Sequence, residues 1–117
     1  MTDRDELDLG TFRDRLLEER GALVASSEGD RDSRRPVVLD QPSVGRLSRM
    51  DALQMQAMAI ETERRRQMRL RRIDAALERI DEGEFGYCVS CGEPIARGRL
   101  EFDPTSPRCL GCEQSGA

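Results

Sequence analysis

The stretch that decides the fold runs from Phe85 to Cys112 and reads FGYCVSCGEPIARGRLEFDPTSPRCLGC. It contains two Cys-x-x-Cys pairs with 17 residues between them. Two cysteines at i and i+3 in a tight turn direct both sulfurs to one side, and two such pairs complete the tetrahedron that Zn²⁺ accepts. Because the chain has no histidine, the ligands can only be cysteines. We therefore predict one structural zinc ion bound by Cys88, Cys91, Cys109 and Cys112.

The same cysteines allow other interpretations. Redox dithiols also use Cys-x-x-Cys, but such a pair usually stands alone at the start of a helix. Catalytic zinc keeps one position open for water, whereas four thiolates close the coordination shell. A chain without histidine also lacks the usual general base at neutral pH. We therefore predict that the protein is not an enzyme, and a redox- or zinc-sensing role stays open as an alternative.

Upstream of the cysteines, the sequence predicts a long helix from about Leu47 to about Asp81. Ser48 is its predicted N-cap, with Asp51 three residues later in the position of a capping-box acid. No proline interrupts this stretch. Apolar residues recur at helical spacing at Met50, Leu53, Ala57, Ile60, Leu70, Ile73, Leu77 and Ile80.

A shorter amphipathic helix precedes it. Its apolar stripe begins at Leu9 and continues through Phe12, Leu16 and Leu23, with charged residues between. The stretch 26–36 is rich in Ser, Gly and Asp and ends in Pro, so the helix is predicted to stop there.

These elements predict a mainly α fold: an antiparallel helical hairpin, or coiled coil, attached to a small zinc-ribbon module with four cysteine ligands. The predicted divisions are a flexible N-terminus over 1–8, the hairpin over 9–82 with a loop at about 28–46, and the zinc module over 83–117. Since the first helix is about half as long as the second, we expect it to cover the loop-proximal half of the hairpin. The stripe from Leu70 to Ile80 is then expected to pack on the zinc module.

Composition restricts the partners and the cellular location. The formal net charge is −4, all 19 basic residues are arginine, and only 3% of residues are aromatic. An acidic protein is a poor candidate for neutralising nucleic-acid phosphates, so we expect no direct sequence-specific DNA binding. No stretch approaches the ~20 apolar residues of a membrane span, and the N-terminus is too acidic for a signal peptide. These features predict a cytoplasmic protein without a membrane partner.

The stretch around the cysteines resembles the DksA/TraR family of bacterial zinc-finger transcription regulators. The residues that carry the resemblance are 71–84, which lead into the zinc module, and then FGYCVSCGEPI, Arg99-Leu-Glu, Pro104-Thr and Cys109-Leu-Gly-Cys112. The resemblance implies a regulator that binds bacterial RNA polymerase. It also implies that the tip of the coiled coil enters the secondary channel of the polymerase, in some members together with the alarmone ppGpp.

The resemblance also points to individual residues. The acidic tip motif of the family, Asp-x-x-Asp-x-Ala, has no clean copy here, so the tip candidates are Asp40, Ser48 and Asp51. Arg65 and Arg72 fall where some members place basic residues near the ppGpp pocket, and they are candidate nucleotide or polymerase contacts. A nucleic-acid-binding zinc ribbon stays open as a further alternative.

Overall fold

The computed structural model describes residues 7–36 and 46–116, with side chains from Arg49 onward in the second range. Within these ranges four α-helices follow one another: α1 Leu9–Gly29, α2 Arg46–Glu82, α3 Arg97–Phe102 and α4 Leu110–Ser115. A 3₁₀ turn, Arg31–Arg34, follows α1. The described residues contain no strand beyond an isolated antiparallel bridge between Tyr87 and Pro94. None of their helices is long and apolar enough to cross a membrane.

Asp8 caps the start of α1. Its carboxylate accepts hydrogen bonds from the backbone N–H of Thr11 at 3.1 Å and from the Thr11 hydroxyl at 2.7 Å. The hydroxyl, followed by the N–H, lowers the pKa of Asp8 below its usual value. Leu7 is buried beside it. The predicted flexible N-terminus is therefore wrong for Leu7, which is buried, and for Asp8, which is hydrogen bonded, while residues 1–6 lie outside the described residues.

The chain divides into two compact units, and the first comprises residues 1–20 and 71–117. Its core brings together Phe12 and Leu16 of α1, Ile73 and Ala76 of α2, and Phe85 of the zinc module, all buried. The rings of Phe12 and Phe85 lie 5.3 Å apart between centroids. The stripe of α2 therefore packs on both the module and α1, because the start of α1 runs alongside the end of α2.

Ion pairs across this unit establish the antiparallel direction of the two helices. Arg13 binds Asp81 at 2.6 Å, and Arg20 binds Asp74 at 2.7 Å. As the residue number rises along α1, its partner number on α2 falls. The predicted antiparallel hairpin and the mainly α fold are confirmed.

The second unit comprises residues 21–70. Glu63 is its polar centre, accepting a hydrogen bond from the Ser27 hydroxyl at 2.7 Å and pairing with Arg34 at 3.3 Å. Nearer the start of α2, Gln56 donates to the carbonyl of Arg35 at 2.6 Å. No described hydrophobic residue of this unit is buried.

Several sequence predictions fail in this region. The first helix does not cover the loop-proximal half of the hairpin, because its partners on α2 begin at Glu63 rather than near Leu53. The predicted stripe residues Met50 and Leu53 are consequently 59% and 41% exposed. Ser48 is not the N-cap of α2, because that helix already begins at Arg46.

The boundaries also differ from those predicted. α1 continues to Gly29 and the 3₁₀ turn occupies part of the predicted loop at 28–46. The compact units divide within the helices rather than between residues 82 and 83, since the start of α1 and the end of α2 share a core with the module.

Candidate metal centre

The first cysteine pair lies in a tight turn directly after α2. Gly83 ends that helix with φ +76°, and the N–H groups of Glu84 and Phe85 return to the carbonyl of Arg79. The turn itself closes through a hydrogen bond from Gly92 N–H to the carbonyl of Cys88 at 2.9 Å. Because Gly92 has φ +78°, a residue with a side chain would be strained there.

The second pair lies at the start of α4. Cys109 is the N-cap of this helix, and its sulfur accepts a hydrogen bond from the N–H of Cys112 at 3.5 Å. The helical turn therefore places the two sulfurs on the same side.

Backbone and side-chain contacts hold the second pair against the first. The N–H of Val89, inside the first pair, donates to the carbonyl of Pro107 at 2.9 Å. Arg99 donates to the carbonyl of Arg108 at 3.0 Å, and Arg108 pairs with Glu113 at 3.2 Å. Sequence reasoning missed these supporting contacts, because their partners have no periodic spacing that would reveal them.

The four sulfur atoms form one cluster. All of them lie within 4.8 Å of one another, and the sulfurs of Cys91 and Cys109 are 3.8 Å apart. In a tetrahedral site with Zn–S bonds of about 2.3 Å, neighbouring sulfurs are separated by about 3.8 Å. The donor set therefore fits one zinc ion, as predicted from the spacing.

The thiols of the cluster differ in how readily they ionise. Burial raises the pKa of Cys88, but hydrogen bonds from the backbone N–H groups of Cys109, Cys91 and Ser90 lower it to about 6. The neighbouring side chains of Cys109, Cys88 and Cys91 raise the pKa of Cys112 to about 12. The first thiol thus ionises readily, whereas the last keeps its proton unless a positive ion offsets the other charges. A bound Zn²⁺ supplies that charge and closes the shell.

Comparison with known proteins places this centre in a family. The model of the prokaryotic dksA/traR C4-type zinc finger matches residues 83–115. The solved structure of transcription factor DksA2 from Pseudomonas aeruginosa covers 97% of this chain and 86% of its own, with a TM-score of 0.79 and 31% identity. The chain belongs to the DksA/TraR family. As the zinc finger of a DksA/TraR protein, the cluster of four cysteines binds one structural zinc ion.

Other DksA/TraR proteins match a shorter stretch. The RNA polymerase-binding transcription factor DksA of Haemophilus influenzae is 38% identical over 64 residues, which are 53% of this chain and 44% of that protein. The protein of the same name from Caulobacter vibrioides is 41% identical over 58 residues, 50% of this chain and 41% of that protein. The chain thus spans less than half the length of these curated relatives. A solved structure from Chlamydia trachomatis, at 22% identity and a TM-score of 0.53, shares the fold.

The structure describes the side chains of three of the remaining predicted site residues of this DksA/TraR protein, Asp51, Arg65 and Arg72. Asp40 lies outside the described residues, and the side chain of Ser48 is not described either. Asp51 is exposed on α2 in the second compact unit. Arg65 belongs to that unit and bonds Glu61 at 3.1 Å. Arg72 belongs to the first unit and lies 3.7 Å from Asp103.

Proposed function

We propose that this protein binds bacterial RNA polymerase and regulates transcription without catalysing a reaction. The observation that carries the proposal is its likeness to transcription factor DksA2 over 97% of the chain, together with a closed zinc centre. RNA polymerase binding is named for the curated relatives, and here it is extended to this chain. A cytoplasmic location follows from that partner.

Exposed apolar side chains support a protein partner. Phe102 is 88% exposed at the end of α3, although Arg15 of α1 donates to the carbonyls of Glu101 and Phe102 and so holds this backbone in place. On α2, Met55 and Met58 are exposed in addition to the predicted stripe residues. Aromatic and methionine side chains held on rigid elements are typical anchors of protein interfaces.

The mechanism that we propose separates a base from a tip. Zinc orders the base, which includes the start of α1 and the end of α2. The region near the start of α2 is the tip, and it enters the secondary channel of the polymerase. Asp51 is an exposed carboxylate of that region. Asp40 is the other acidic candidate, and a carboxylate placed near a catalytic Mg²⁺ alters its ligand shell.

We further propose Arg72 rather than Arg65 as the nucleotide or polymerase contact. Arg65 accompanies Arg64 on the same carboxylate of Glu61, at 3.1 and 2.7 Å. Arg72 lies 3.7 Å from Asp103, a longer and weaker ion pair. Its guanidinium can therefore exchange Asp103 for a phosphate or an acidic side chain more easily. If ppGpp takes part, Arg72→Ala should weaken its effect more than Arg65→Ala does.

The proposal is tested by measuring binding of the purified, zinc-loaded protein to purified bacterial RNA polymerase. We expect saturable binding that is lost after chelation of zinc and in Cys91→Ser. Ser90→Ala is the matched control, because Ser90 is exposed in the same turn and supplies no metal ligand. Absence of binding by the zinc-loaded wild type would refute the proposed partner, and zinc-dependent binding to DNA or RNA alone would support the nucleic-acid alternative.

A further inference from the structure

A cleft of about 620 Å³ lies between the end of α2 and the first cysteine turn. Arg79, Glu82 and Glu84 contribute charged side chains to its lining, and Tyr87 contributes a phenol. Gly83 and Gly92 expose backbone to it. All of these residues belong to the first compact unit. The zinc ligand Cys88 and its neighbour Val89 complete the lining. Neither the zinc site nor the proposed polymerase contacts assign a role to Arg79.

Arg79 differs from the other arginines whose side chains the structure describes. Eleven of the described arginines pair with a carboxylate. Among the described residues, only Arg31, Arg71 and Arg79 have an arginine side chain without a hydrogen bond or ion pair to the protein. Arg31 and Arg71 are exposed, so water satisfies them, whereas Arg79 is half-buried.

The surroundings of Arg79 disfavour its charge. Burial lowers the pKa of Arg79, and the nearby cation of Arg72 lowers it further. A guanidinium stays charged at neutral pH in any case, so the free energy of the site is improved by an anion rather than by loss of a proton. Neither Glu82 nor Glu84 provides that anion, because both are exposed and neither forms an ion pair with Arg79.

The chemistry of the lining restricts which anion fits. The planar guanidinium of Arg79 matches two oxygens of a carboxylate or a phosphate. Glu82 and Glu84 line the same cleft, and their repulsion of a ligand with two negative charges is about twice their repulsion of a ligand with one. We propose that this cleft binds a singly charged carboxylate through Arg79. Such a carboxylate is carried by an acidic side chain or a chain terminus of a partner, and the proposal does not depend on that partner being RNA polymerase.

The test is a titration of the zinc-loaded, isotope-labelled full chain with acetate, followed by NMR at constant ionic strength with chloride as the reference anion. The reporters are the Arg79 side-chain N–H and the backbone amides of Gly83 and Gly92, which line the cleft. We expect saturable shifts, with a dissociation constant on the order of 10 mM for so small a ligand. Inorganic phosphate at pH 7.5, mainly a dianion, should bind more weakly than acetate.

Arg79→Gln should weaken acetate binding at least about tenfold, because the two-oxygen contact is lost. Arg79→Lys keeps the positive charge but lacks the planar pair of N–H donors, so its affinity for acetate should be intermediate. Arg71→Gln is the matched control: it removes an exposed, unpaired arginine from the same helix and should leave binding unchanged. Zinc content verifies that each variant is folded. Equal shifts in wild type and Arg79→Gln would overturn the site, and tighter binding of phosphate than of acetate would overturn the carboxylate assignment.

Discussion

The two compact units of this protein are stabilised in different ways. Every buried hydrophobic residue of the described chain belongs to the first unit, where the helix ends meet the zinc module. The second unit is held by polar contacts around Glu63 and by the pair between Arg66 and Asp30. Burial of apolar area contributes about 25 cal/mol per Å² to the free energy of unfolding. A partly buried ion pair gives little net gain after desolvation, but it is costly to break. The first unit therefore depends on its apolar core, and the second depends on the polar contacts of Glu63.

The largest expected effect is loss of zinc. In Cys91→Ser we expect zinc content to fall from one ion per chain to well under one, and residues 83–112 to unfold, because structural zinc contributes on the order of 10 kcal/mol to the folding of small modules. Metal analysis and NMR of the purified variant measure both effects. Full zinc retention by Cys91→Ser would contradict the ligand assignment.

The same experiment separates the two units. Since much of α1 and α2 lies in the second unit, chelation should remove only a minority of the far-UV helical signal. Ser90→Ala should keep both zinc and helicity. Loss of nearly all helicity on chelation would show that the two units unfold together, and it would contradict the claim that they are stabilised separately.

A matched pair of leucine substitutions compares the units directly. Leu16 is fully buried in the first unit, and Leu53 is 41% exposed in the second. Leu16→Ala should lower the free energy of unfolding by about 2–5 kcal/mol, because it leaves a cavity. Leu53→Ala should lower it by less than about 1 kcal/mol, as expected for a substitution outside a core. Urea unfolding followed by circular dichroism measures both, and equal effects would refute the claim that the core belongs to the first unit.

The second unit should respond to acid through Glu63. The Ser27 hydroxyl, followed by the amide of Gln67, lowers the pKa of Glu63 below its ordinary value of 4.5. A carboxyl with a lowered folded-state pKa stabilises the fold above the ordinary value, and this contribution is lost as the pH falls through the folded-state pKa. As the pH falls below 4.5, amides near Glu63 should therefore open increasingly in hydrogen exchange corrected for intrinsic rates.

Glu63→Gln is the control for this effect. It keeps the shape of the side chain but cannot titrate, so opening in the second unit should depend less on pH than in the wild type. The effect should be smaller than that of Leu16→Ala, because no apolar core is lost. Identical pH profiles for wild type and Glu63→Gln would exclude the proposed role of this carboxylate.

The smallest expected effect on binding concerns the proposed tip. Asp40→Asn should change affinity for RNA polymerase by less than about threefold, a difference under ~1 kcal/mol. It should nevertheless reduce any effect of the protein on the lifetime of open promoter complexes, because a neutral side chain interacts weakly with Mg²⁺. A transcription assay with purified components measures both quantities. A tenfold loss of binding would instead make Asp40 part of the docking surface.

The zinc centre and the helices were predictable because their signals are local. Two Cys-x-x-Cys pairs define a donor set whatever the rest of the chain does, and a tight turn suffices to align each pair. The apolar periodicity of α2 predicted its extent from about Leu47 to Asp81, close to the observed Arg46–Glu82. Of the predicted stripe from Ile73 onward, Ile73 is fully buried, and Leu77 and Ile80 are partly buried.

The pairing of the helices was not predictable in the same way. Periodicity identifies an apolar face but not what covers it. Met50 and Ile73 lie on the same predicted stripe, yet Met50 is 59% exposed and Ile73 is fully buried. The start of α1 packs beside the zinc module. Because α1 ends at Gly29, its last turn lies beside Glu63 and not beside the first turns of α2. The capping of α1 by Asp8 has a local signal, because an aspartate directly before the first residue of a helix is a usual N-cap.

The sequence by itself determined the metal, its four ligands, the helical class and the family, because each of these depends on residue types at short spacing. Only the tertiary structure decided which half of α2 is covered, where the compact units divide and which arginines are paired. Those properties depend on contacts between residues far apart in the chain, such as Arg13 with Asp81 and Phe12 with Phe85. The half-buried, unpaired Arg79 is the sharpest case: its sequence neighbours resemble those of any charged helix, and only the folding of the first cysteine turn against the end of α2 encloses it in a cleft.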